Sequence, residues 1–468
     1  MTDSLSYDVV VIGAGPGGYV SAIRAAQLGL KTAVIDKQWL GGVCLNVGCV
    51  PSKALLKNAE LAHILRERPA DFGFSFENLK LDYSVAVKRS RDVSKRLTLG
   101  VASLMKKNKI DVHMGAARLL APNRISVTNA EGQIQEISAK NIIVATGAYS
   151  MSIPGVAIDG ERILSYSEAI LQTTRPESVV IIGGGAIGVE FATVWNGYGS
   201  KVTIVEMLPH ILPAEDEEVA NELAKIYKKR GVEILTATKV LSVERSEKGV
   251  RVKVSADGVE KMLEADQALV AIGFKPNSAN MGLDTVGVRL NQRGFIEIDE
   301  RMATNVPGIW AIGDVTGQLL LAHVASAQGI VCAESIAGVE TVKLDYRMMP
   351  RAVYSHPQVA SFGITEAQAK EQGYTVKIGR FPFMANGKAL GLSDYAGFVK
   401  IVTDTRYGEI LGAQMIGPDV SELLPELTLA QRNELTISEI SRNVHAHPTL
   451  SEVIMEAAHG AEGHSIHI

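Results

Sequence analysis

Two closely spaced cysteines carry the most evident redox chemistry in this sequence. Cys44 and Cys49 stand five positions apart, and the chain has only one further cysteine. A pair at this spacing does not face squarely on a helix, so we expect Gly48 to ease a distorted turn that brings the two sulfurs together. Lys53 follows Cys49 by one helical turn, where its cation could stabilise negative charge on a nearby thiolate. The spacing favours a disulfide that is opened and closed in catalysis.

Two other interpretations of this cysteine pair remain open. As metal ligands, the cysteines would need two further Cys or His residues close by, and the neighbouring sequence has none. A purely structural disulfide is the second alternative, and it is unusual in a reducing cytosol. The third cysteine, Cys332, lies alone in the apolar helical run 325–337, so we expect it to be a buried small side chain.

A candidate acid–base pair lies far along the chain. His447 is followed by Pro448, which disfavours helical geometry at the preceding residue and is expected to open a helix at its first turn. Glu452 lies about one turn further, close enough to fold back toward His447. An imidazole oriented by a carboxylate is a general base suited to deprotonating a thiol. A lone histidine is more often structural, and we interpret His445 as a structural or supporting residue.

The elements that must position these groups include a duplicated unit. The segment 9–36 recurs as 179–206, at a constant offset of 170 residues. Each copy reads as a β-branched strand, a glycine-rich turn, a helix, a second strand and a terminal carboxylate, which is the pattern of a dinucleotide-binding βαβ unit. The corresponding positions are Gly13, Gly15, Gly18 and Asp36 in the first copy and Gly183, Gly185, Gly188 and Glu206 in the second.

Each residue type in the duplicated unit has a physical reason. The first glycine makes the tight turn, the second lets the backbone approach a pyrophosphate, and the third allows close helix–strand packing. The helix that follows directs its unpaired N–H groups at the pyrophosphate, and the carboxylate accepts hydrogen bonds from a ribose. Glu206 would repel a 2′-phosphate, and no arginine follows it, so NAD is favoured over NADP. The alternative is two βαβ turns without a ligand.

Composition narrows the class of protein further. A length of 468 residues with 46% hydrophobic residues indicates an α/β protein of about three domains. The net charge of −4 predicts no affinity for nucleic acid or anionic membranes. The apolar run 179–195 contains Glu190 and several glycines, so we expect a strand, a turn and a helix there and no membrane span. Few cysteines and a strand that begins almost at Met1 favour the cytoplasm.

The segment 41–53, GGVCLNVGCVPSK, is similar to the redox-active disulfide signature of the pyridine nucleotide–disulfide oxidoreductases. The similarity continues along essentially the whole chain, through the segments 145–147 and 311–314 and the HPTxxE motif at 447–452. It implies an α/β fold with two Rossmann-like dinucleotide-binding domains, for FAD and NAD, and an α+β C-terminal dimerisation domain. The implied boundaries are 1–148 and 275–343 for the FAD-binding part, 149–274 for the NAD-binding domain and 344–468 for the interface domain.

The resemblance also implies which residues hold the two cofactors. Glu190 would pair with Lys53 near the nicotinamide, and the segment 320–323 would face the flavin ring. The implied FAD residues are Gly13, Gly15, Gly18, Asp36, Lys53, Gly115, Ala145, Thr146, Gly147, Asp314, Leu320, Leu321, Ala322 and His323. The implied NAD residues are Gly183, Gly185, Gly188, Glu190, Glu206, Val240 and Gly273.

Within this family the chain resembles the members that oxidise dihydrolipoamide. Ser52 stands where glutathione reductases usually have lysine, Ala186 stands where they often place tyrosine, and the chain ends without a cysteine pair. Asp36 departs from the usual glutamate, which puts the adenosine ribose contact in question. An NAD-linked reductase of another disulfide or a quinone and a non-catalytic assembly component remain alternatives.

The resemblance assigns catalysis to four residues and implies two partners. Cys44 and Cys49 would form the redox disulfide, and His447 with Glu452 would act as the base. The chain would form a homodimer in which the cysteines meet His447 of the partner subunit. Its protein partner would be the lipoyl domain of a 2-oxo acid dehydrogenase acyltransferase or a glycine cleavage carrier protein, and no metal is implied.

Overall fold

The computed structural model describes residues 5–468, which divide into two compact units. The first unit contains the described residues up to Ala54 together with Val87–Met151 and Gly273–Tyr346. The second unit contains Leu55–Ala86, Ser152–Ile272 and Arg347–Ile468. No helix among residues 5–468 is long and apolar enough to cross a membrane.

Strands and helices are interspersed along the described chain, with runs of consecutive strands at β3–β8 and β11–β17. The strands are β1 (Leu5–Ile12), β2 (Thr32–Asp36), β3 (Asp111–Met114), β4 (Ala116–Ala121), β5 (Arg124–Thr128), β6 (Ile134–Val144), β7 (Ala148–Ser150), β8 (Ile163–Leu164), β9 (Ser178–Ile182), β10 (Lys201–Val205), β11 (Glu233–Leu235), β12 (Lys239–Arg245), β13 (Val250–Ala256), β14 (Val259–Ala265), β15 (Gln267–Val270), β16 (Phe274–Pro276), β17 (Ile309–Ala311), β18 (Arg351–Val353), β19 (Gln358–Gly363), β20 (Val376–Pro382), β21 (Phe398–Asp404) and β22 (Ile410–Gly417). The helices are α1 (Pro16–Gln27), α2 (Gly42–Asn46), α3 (Cys49–Glu67), α4 (Tyr83–Lys107), α5 (Tyr166–Ala169), α6 (Ala186–Gly197), α7 (Glu217–Lys229), α8 (Ala322–Ala337), α9 (Glu366–Glu371), α10 (Gly387–Gly391), α11 (Val420–Arg432), α12 (Ile437–Arg442) and α13 (Glu452–Glu462).

The first unit is built on a sheet of order β3-β2-β1-β6-β5-β4, with β17 added on β6. Strands β1, β2, β3, β6 and β17 pair in parallel, and β4 and β5 are antiparallel additions. Val9 and Val11 of β1 belong to one buried cluster, whereas Val10 and Ile12 belong to another. Since successive side chains of a strand point to opposite faces, β1 is covered on both sides.

Helices α1 and α8 pack closely in the first unit because glycine replaces a side chain at their contact. A Cβ on Gly17 would lie 3.0 Å from the carbonyl oxygen of Ala325, and one on Gly329 would lie 2.7 Å from that of Gly17. Cys332 of α8 is fully buried in this layer, as the sequence predicts. Both helices therefore present their N-terminal ends beside the glycine-rich turn that follows β1.

The second unit contains a parallel sheet of order β11-β10-β9-β15-β8. An antiparallel sheet, β12-β13-β14, packs on it, because Val180 and Ile182 of β9 share a buried cluster with Val252 and Val254 of β13. The segment 179–195 is divided between β9, a turn and α6, which confirms the interpretation drawn from its glycines and Glu190.

The C-terminal part of the second unit is an antiparallel sheet of order β18-β19-β22-β21-β20. Every residue of β21 and β22 is buried, so this sheet is covered on both faces. Helix α13 lies on β20, where Gly379 leaves room for the backbone of Ala457. Helix α13 begins at Glu452, so Pro448 does not open it at its first turn and that expectation is wrong.

Candidate functional site

The two cysteines of the first unit lie on two different helices. Helix α2 ends at Asn46, and α3 begins at Cys49, so the chain reverses between them. A Cβ on Gly48 would lie 3.0 Å from the carbonyl oxygen of Val43 and 3.3 Å from the Cα of Cys44. Any side chain at position 48 would force the two helix ends apart. The structure thus confirms the prediction that Gly48 allows the turn that brings Cys44 and Cys49 together.

Cys44 and Cys49 are thiols joined by a hydrogen bond. This hydrogen bond, followed by burial and by the charge of Cys49, raises the pKa of Cys44, while the cation of Lys53 acts in the opposite direction. Lys53 is therefore placed to stabilise negative charge on the pair. Cys49 is exposed and Cys44 is half-buried.

Tyr19 of α1 lies beside this pair and was not singled out from the sequence. Burial raises the pKa of its phenol, and the charge of Cys44 raises it further. The only local signal is its place directly after Gly18, one helical turn into α1.

Glu190, which is predicted to pair with Lys53 near the nicotinamide, belongs to the second unit. Its carboxylate accepts a hydrogen bond of 3.0 Å from the backbone N–H of Tyr354. Its pairing with Lys53 stays a prediction.

The first glycine-rich turn has the geometry of a pyrophosphate cradle. Gly13 has φ +107°, a conformation that L side chains rarely adopt, and a Cβ on Gly15 would meet no atom of the described chain within 4 Å. The space beside Gly15 is therefore open to a ligand. Asp36 at the end of β2 accepts hydrogen bonds from the N–H groups of Ala14, at 2.7 Å, and Trp39, at 2.9 Å. These bonds hold the carboxylate of Asp36 at the turn, although its side chain is shorter than that of the usual glutamate.

Other predicted FAD residues border the same end of the sheet in the first unit. The N–H of Gly115 donates to the carbonyl oxygen of Asp36 at 2.9 Å. The Thr146 hydroxyl donates to the carbonyl oxygen of Asn277 at 2.7 Å, and the Asn277 amide donates back to Thr146 at 3.0 Å. Asn277 could not be predicted from the sequence, because 131 positions separate the two residues. This reciprocal pair fixes the turn that contains Ala145 and Gly147.

Asp314 provides an unusual carboxylate in this region. Burial raises the pKa of Asp314 to about 6. Within residues 5–468 no hydrogen bond reaches its carboxylate, so its oxygens can accept a hydrogen bond from a hydroxyl of a bound cofactor.

The N-terminal end of α8 offers hydrogen-bond donors in the same unit. Leu321 precedes α8, and the first N–H groups of that helix, from Ala322 onward, have no partner inside the helix. The residues of the first unit therefore fit a flavin dinucleotide.

The second glycine-rich turn repeats this arrangement in the second unit. Gly183 has φ +105°, and a Cβ on Gly185 would again meet no described atom within 4 Å. Glu206 accepts hydrogen bonds from the N–H groups of Gly184, at 2.7 Å, and Leu208, at 2.8 Å. A Cβ on Gly188 would lie 3.1 Å from Ile181, which shows how closely α6 packs on β9. These residues fit a second dinucleotide with a ribose at Glu206.

Two predicted NAD residues are placed differently from the glycines. The side chain of Val240 is buried in the core between the antiparallel sheet and the parallel sheet, so any contact with NAD would come from the backbone of the edge strand β12. The neighbouring N–H of Thr238 donates to the carbonyl oxygen of Glu206 at 2.9 Å, which keeps this strand end close to the second turn. Gly273 has φ +121° and belongs to the first unit, so its role stays a prediction.

His447 and Glu452 form the hydrogen bond that the motif predicts. His447 Nδ1 lies 2.9 Å from Glu452 Oε1, and Glu452 Oε2 accepts a hydrogen bond of 2.8 Å from the N–H of Thr449. Burial alone would raise the pKa of Glu452, but the bonds from Thr449 and His447 lower it overall. The imidazole of His447 is 78% exposed, and its Nε2 has no hydrogen-bond partner in the described part of the chain. With the proton on Nδ1, Nε2 is free to accept one from a substrate.

His445 is held in a different way. Its Nδ1 faces the carbonyl oxygen of Asn443 at 2.9 Å, and its Nε2 lies 2.9 Å from Glu426 Oε1. The hydrogen bond with Glu426 raises the pKa of His445 in spite of burial. Glu426 was missed in the sequence, because it lies on α11, 19 positions away. His445 is a structural residue in this chain.

Comparisons with known proteins agree with this geometry. Residues 7–329 match the family described as pyridine nucleotide-disulphide oxidoreductase, and residues 349–458 match the dimerisation domain of that family. The dihydrolipoyl dehydrogenase of Mycobacterium leprae is 54% identical over 464 residues, covering 98% of this chain and 99% of the relative. That of Corynebacterium glutamicum is 51% identical over 465 residues, with the same coverage.

Solved structures show the same fold. The crystal structure of LpdA from Mycobacterium tuberculosis has a TM-score of 0.90 and 29% identity, covering 97% of this chain and 99% of that one. The Cu(II) complex of the HOCl-induced flavoprotein disulfide reductase RclA from Escherichia coli has a TM-score of 0.87 and 27% identity, with equal coverage. Both family models match this chain, and Cys44 and Cys49 lie on either side of a single turn. The chain therefore belongs to the pyridine nucleotide-disulphide oxidoreductase family.

Proposed function

We propose that this chain oxidises dihydrolipoamide to lipoamide and reduces NAD⁺ to NADH, using FAD and a Cys44–Cys49 disulfide. The observation that carries the proposal is the hydrogen-bonded thiol pair beside Lys53, in a chain that also holds an exposed imidazole oriented by a carboxylate. The relatives that share about half of its residues over their whole length are named for this reaction.

The chain's own residues account for the thiol half of the reaction. His447, oriented by Glu452, accepts a proton from one substrate thiol, and the thiolate attacks Cys44 Sγ of the oxidised pair. The Cys44–Cys49 bond breaks as a mixed disulfide forms. The second substrate thiolate then displaces Cys44, so that lipoamide leaves as a disulfide and the protein keeps both electrons as a dithiol. FAD, when bound, supplies the chemistry that passes this electron pair to NAD⁺ as hydride.

The cofactors FAD and NAD are held, in this proposal, by the two glycine-rich turns. FAD contacts Gly13, Gly15 and Gly18 with Asp36, Asp314 and the N-terminal end of α8, and NAD contacts Gly183, Gly185 and Gly188 with Glu206. The domains are proposed to run 1–148 and 275–343 for FAD, 149–274 for NAD and 344–468 for the interface. The open space at Gly15 and Gly185 supports this assignment.

The chain forms a homodimer through its dimerisation domain. We propose that its substrate is carried on a lipoyl domain, either of a 2-oxo acid dehydrogenase acyltransferase or of a glycine cleavage carrier protein, and that it acts in the cytoplasm. The names of the relatives, which are dihydrolipoyl dehydrogenases, support a substrate of this kind.

The experiment is a steady-state assay of NADH formation by the purified holoenzyme with dihydrolipoamide and NAD⁺. We expect fast NADH formation in the wild type and none in Cys44→Ser or Cys49→Ser, with flavin absorbance retained in both variants. Glutathione disulfide with NADPH is the control substrate pair and should give no turnover. If yellow, flavin-loaded enzyme did not turn over dihydrolipoamide, the proposed substrate would be wrong, whereas the assignment of the fold would still hold.

A second candidate is an NAD-linked reductase of another small disulfide or of a quinone. The similarity in fold to RclA, which is described as a flavoprotein disulfide reductase, favours this candidate. NADH oxidation by the same holoenzyme, measured against a panel of disulfides and quinones, separates the two. A kcat/KM for any of them that exceeds the value for lipoamide would replace the first proposal.

A further inference from the structure

The C-terminal end of α13 carries a cluster of side chains that the redox reaction does not use. His459, Glu462 and His464 bring one ligand atom each within 4.8 Å of one another. His459 Nδ1 lies 3.1 Å from His464 Nε2, and His464 Nε2 lies 3.6 Å from Glu462 Oε2. We propose that these three residues bind a divalent transition-metal cation, with Zn²⁺ as the best fit.

The backbone brings the two histidines together by a local motif. Gly463 has φ +87° and ends α13 in the left-handed conformation. The N–H of Gly463 donates to the carbonyl oxygen of Gly460, and the N–H of His464 donates to that of His459, both at 3.1 Å. This is a Schellman motif, in which the residues at the positions of His459 and His464 commonly make an apolar contact. Here imidazoles occupy both positions, so the fold itself holds two metal ligands side by side.

The separations suit a tetrahedral ion. Zn²⁺ takes imidazole nitrogen and carboxylate oxygen at roughly 2.0–2.2 Å, which places neighbouring ligand atoms about 3.3 Å apart in a tetrahedron. Two of the separations, 3.1 and 3.6 Å, lie on either side of this value, and all three ligand atoms lie within 4.8 Å of one another. Two nitrogens and one oxygen leave a fourth position, which can be filled by water because the side chain of His464 is 57% exposed.

The carboxylate of Glu462 is oriented by a neighbouring helix. Ser438 of α12 donates a hydrogen bond from its hydroxyl to Glu462 Oε1, so Oε2 is left to face His464. Hydrogen-bond partners of this kind fix the direction of a ligand in known metal sites. A bound ion would therefore connect α12, the end of α13 and the segment that follows it.

The test uses the full-length, flavin-loaded, oxidised enzyme without a histidine tag, treated with a chelator and then dialysed against Zn²⁺. Bound zinc is measured by atomic spectroscopy and affinity by calorimetry. We expect one Zn²⁺ per chain, and none in the His459→Ala, His464→Ala double variant. His467→Ala is the matched control, because His467 lies in the same segment but bonds to Glu456, and it should keep the ion.

Two further variants separate this site from the redox centre. Ser438→Ala removes only the orienting hydroxyl and should weaken Zn²⁺ binding by about 10–100-fold. Cys44→Ser, Cys49→Ser should leave the stoichiometry unchanged. The proposal is overturned if the double histidine variant still binds one equivalent, if the cysteine variant loses it, or if the wild type binds none. None of these readouts depends on enzyme activity, so the result stands apart from the proposed reaction.

Discussion

Two histidines two positions apart have opposite hydrogen-bond environments. Both ring nitrogens of His445 face acceptors, the Asn443 carbonyl oxygen and Glu426, which favours the doubly protonated imidazolium. Among residues 5–468, only Nδ1 of His447 faces an acceptor, and the imidazole is largely exposed. An imidazole with one occupied and one free nitrogen can take up and release a proton, whereas one with two acceptors holds its proton and stabilises the chain. This difference supports the proposal that His447, and not His445, is the general base.

Glu452→Gln tests whether the carboxylate orients this base. The substitution keeps the size of the side chain but removes its charge and one of its two acceptor oxygens, so the N–H of Thr449 and the Nδ1–H of His447 compete for the acceptor that remains. We expect kcat for dihydrolipoamide oxidation to fall by about 10²-fold or more, since a positioned general base contributes that much. NADH oxidation by ferricyanide, which bypasses the thiols, serves as the control and should be unchanged. An equal loss in both assays would point to a structural defect and contradict the orienting role.

A second residue-scale prediction concerns nucleotide choice. Glu206 accepts one backbone N–H bond on each carboxylate oxygen, and glutamine can keep only one of these bonds through its carbonyl oxygen. Glu206→Gln therefore removes the negative charge together with one of the two bonds that hold the turn. We expect kcat/KM for NADP⁺ relative to NAD⁺ to rise about tenfold, which corresponds to about 1.4 kcal/mol. Steady-state kinetics with both nucleotides measure this ratio, and a ratio unchanged by the substitution would remove Glu206 from the ribose site.

At the scale of elements, the ion pair of His445 and Glu426 joins α11 to the segment before α13. The pKa of His445 is raised, so this residue stabilises the fold below its unfolded pKa of about 6.5, and the contribution is lost as the pH rises through the higher folded pKa. The pKa of Glu426 is lowered, because the hydrogen bond and charge of His445 outweigh burial. Glu426 contributes above about pH 4.3 and loses its contribution as the pH falls.

The pair therefore stabilises the fold most at mildly acidic pH. We expect Tm of His445→Gln to lie furthest below that of the wild type near about pH 6, with the difference shrinking toward pH 9 as wild-type His445 loses its proton. Thermal melts of both proteins across this range measure the difference. His210→Gln is the control, because the His210 ring bonds to a backbone carbonyl oxygen and forms no ion pair within residues 5–468, and it should give a small difference throughout. A difference for His445→Gln that grows with pH would contradict the sign of the shift.

The same elements show what a sequence can and cannot predict here. The strand, turn and helix of each duplicated unit follow from glycines and β-branched runs a few residues apart, so they were predictable. The helix expected at Pro448 begins at Glu452 instead, because residues before it are held by other contacts. Asn386 donates a hydrogen bond to the Thr449 carbonyl oxygen from 63 positions away. Such a partner leaves no local signal, and the same is true of Glu426 and Asn277.

At the scale of the whole molecule, the residues proposed to react belong to both units of the chain. Cys44, Cys49 and Lys53 belong to the first unit, and His447 with Glu452 belongs to the second, inside the dimerisation domain. A base that lies within the domain through which two copies associate can serve the cysteines of the other copy. Dimer formation would then be a condition for catalysis as well as for stability.

Mixing two inactive variants distinguishes a shared site from a site within one chain. In a heterodimer of Cys49→Ser and His447→Gln subunits, a shared arrangement unites the intact cysteines of one subunit with the intact histidine of the other. It also unites both defects in the second site, so each heterodimer should have about half of the wild-type activity, and a randomly reassociated mixture about a quarter. If each chain used its own histidine, every site would contain one defect and the mixture would stay inactive. The measurement is dihydrolipoamide oxidation before and after the two purified variants are dissociated and reassociated together, with each variant reassociated alone as the control. Recovery only in the mixture would establish that the active site is built from two chains, and no recovery in verified heterodimers would place it within one.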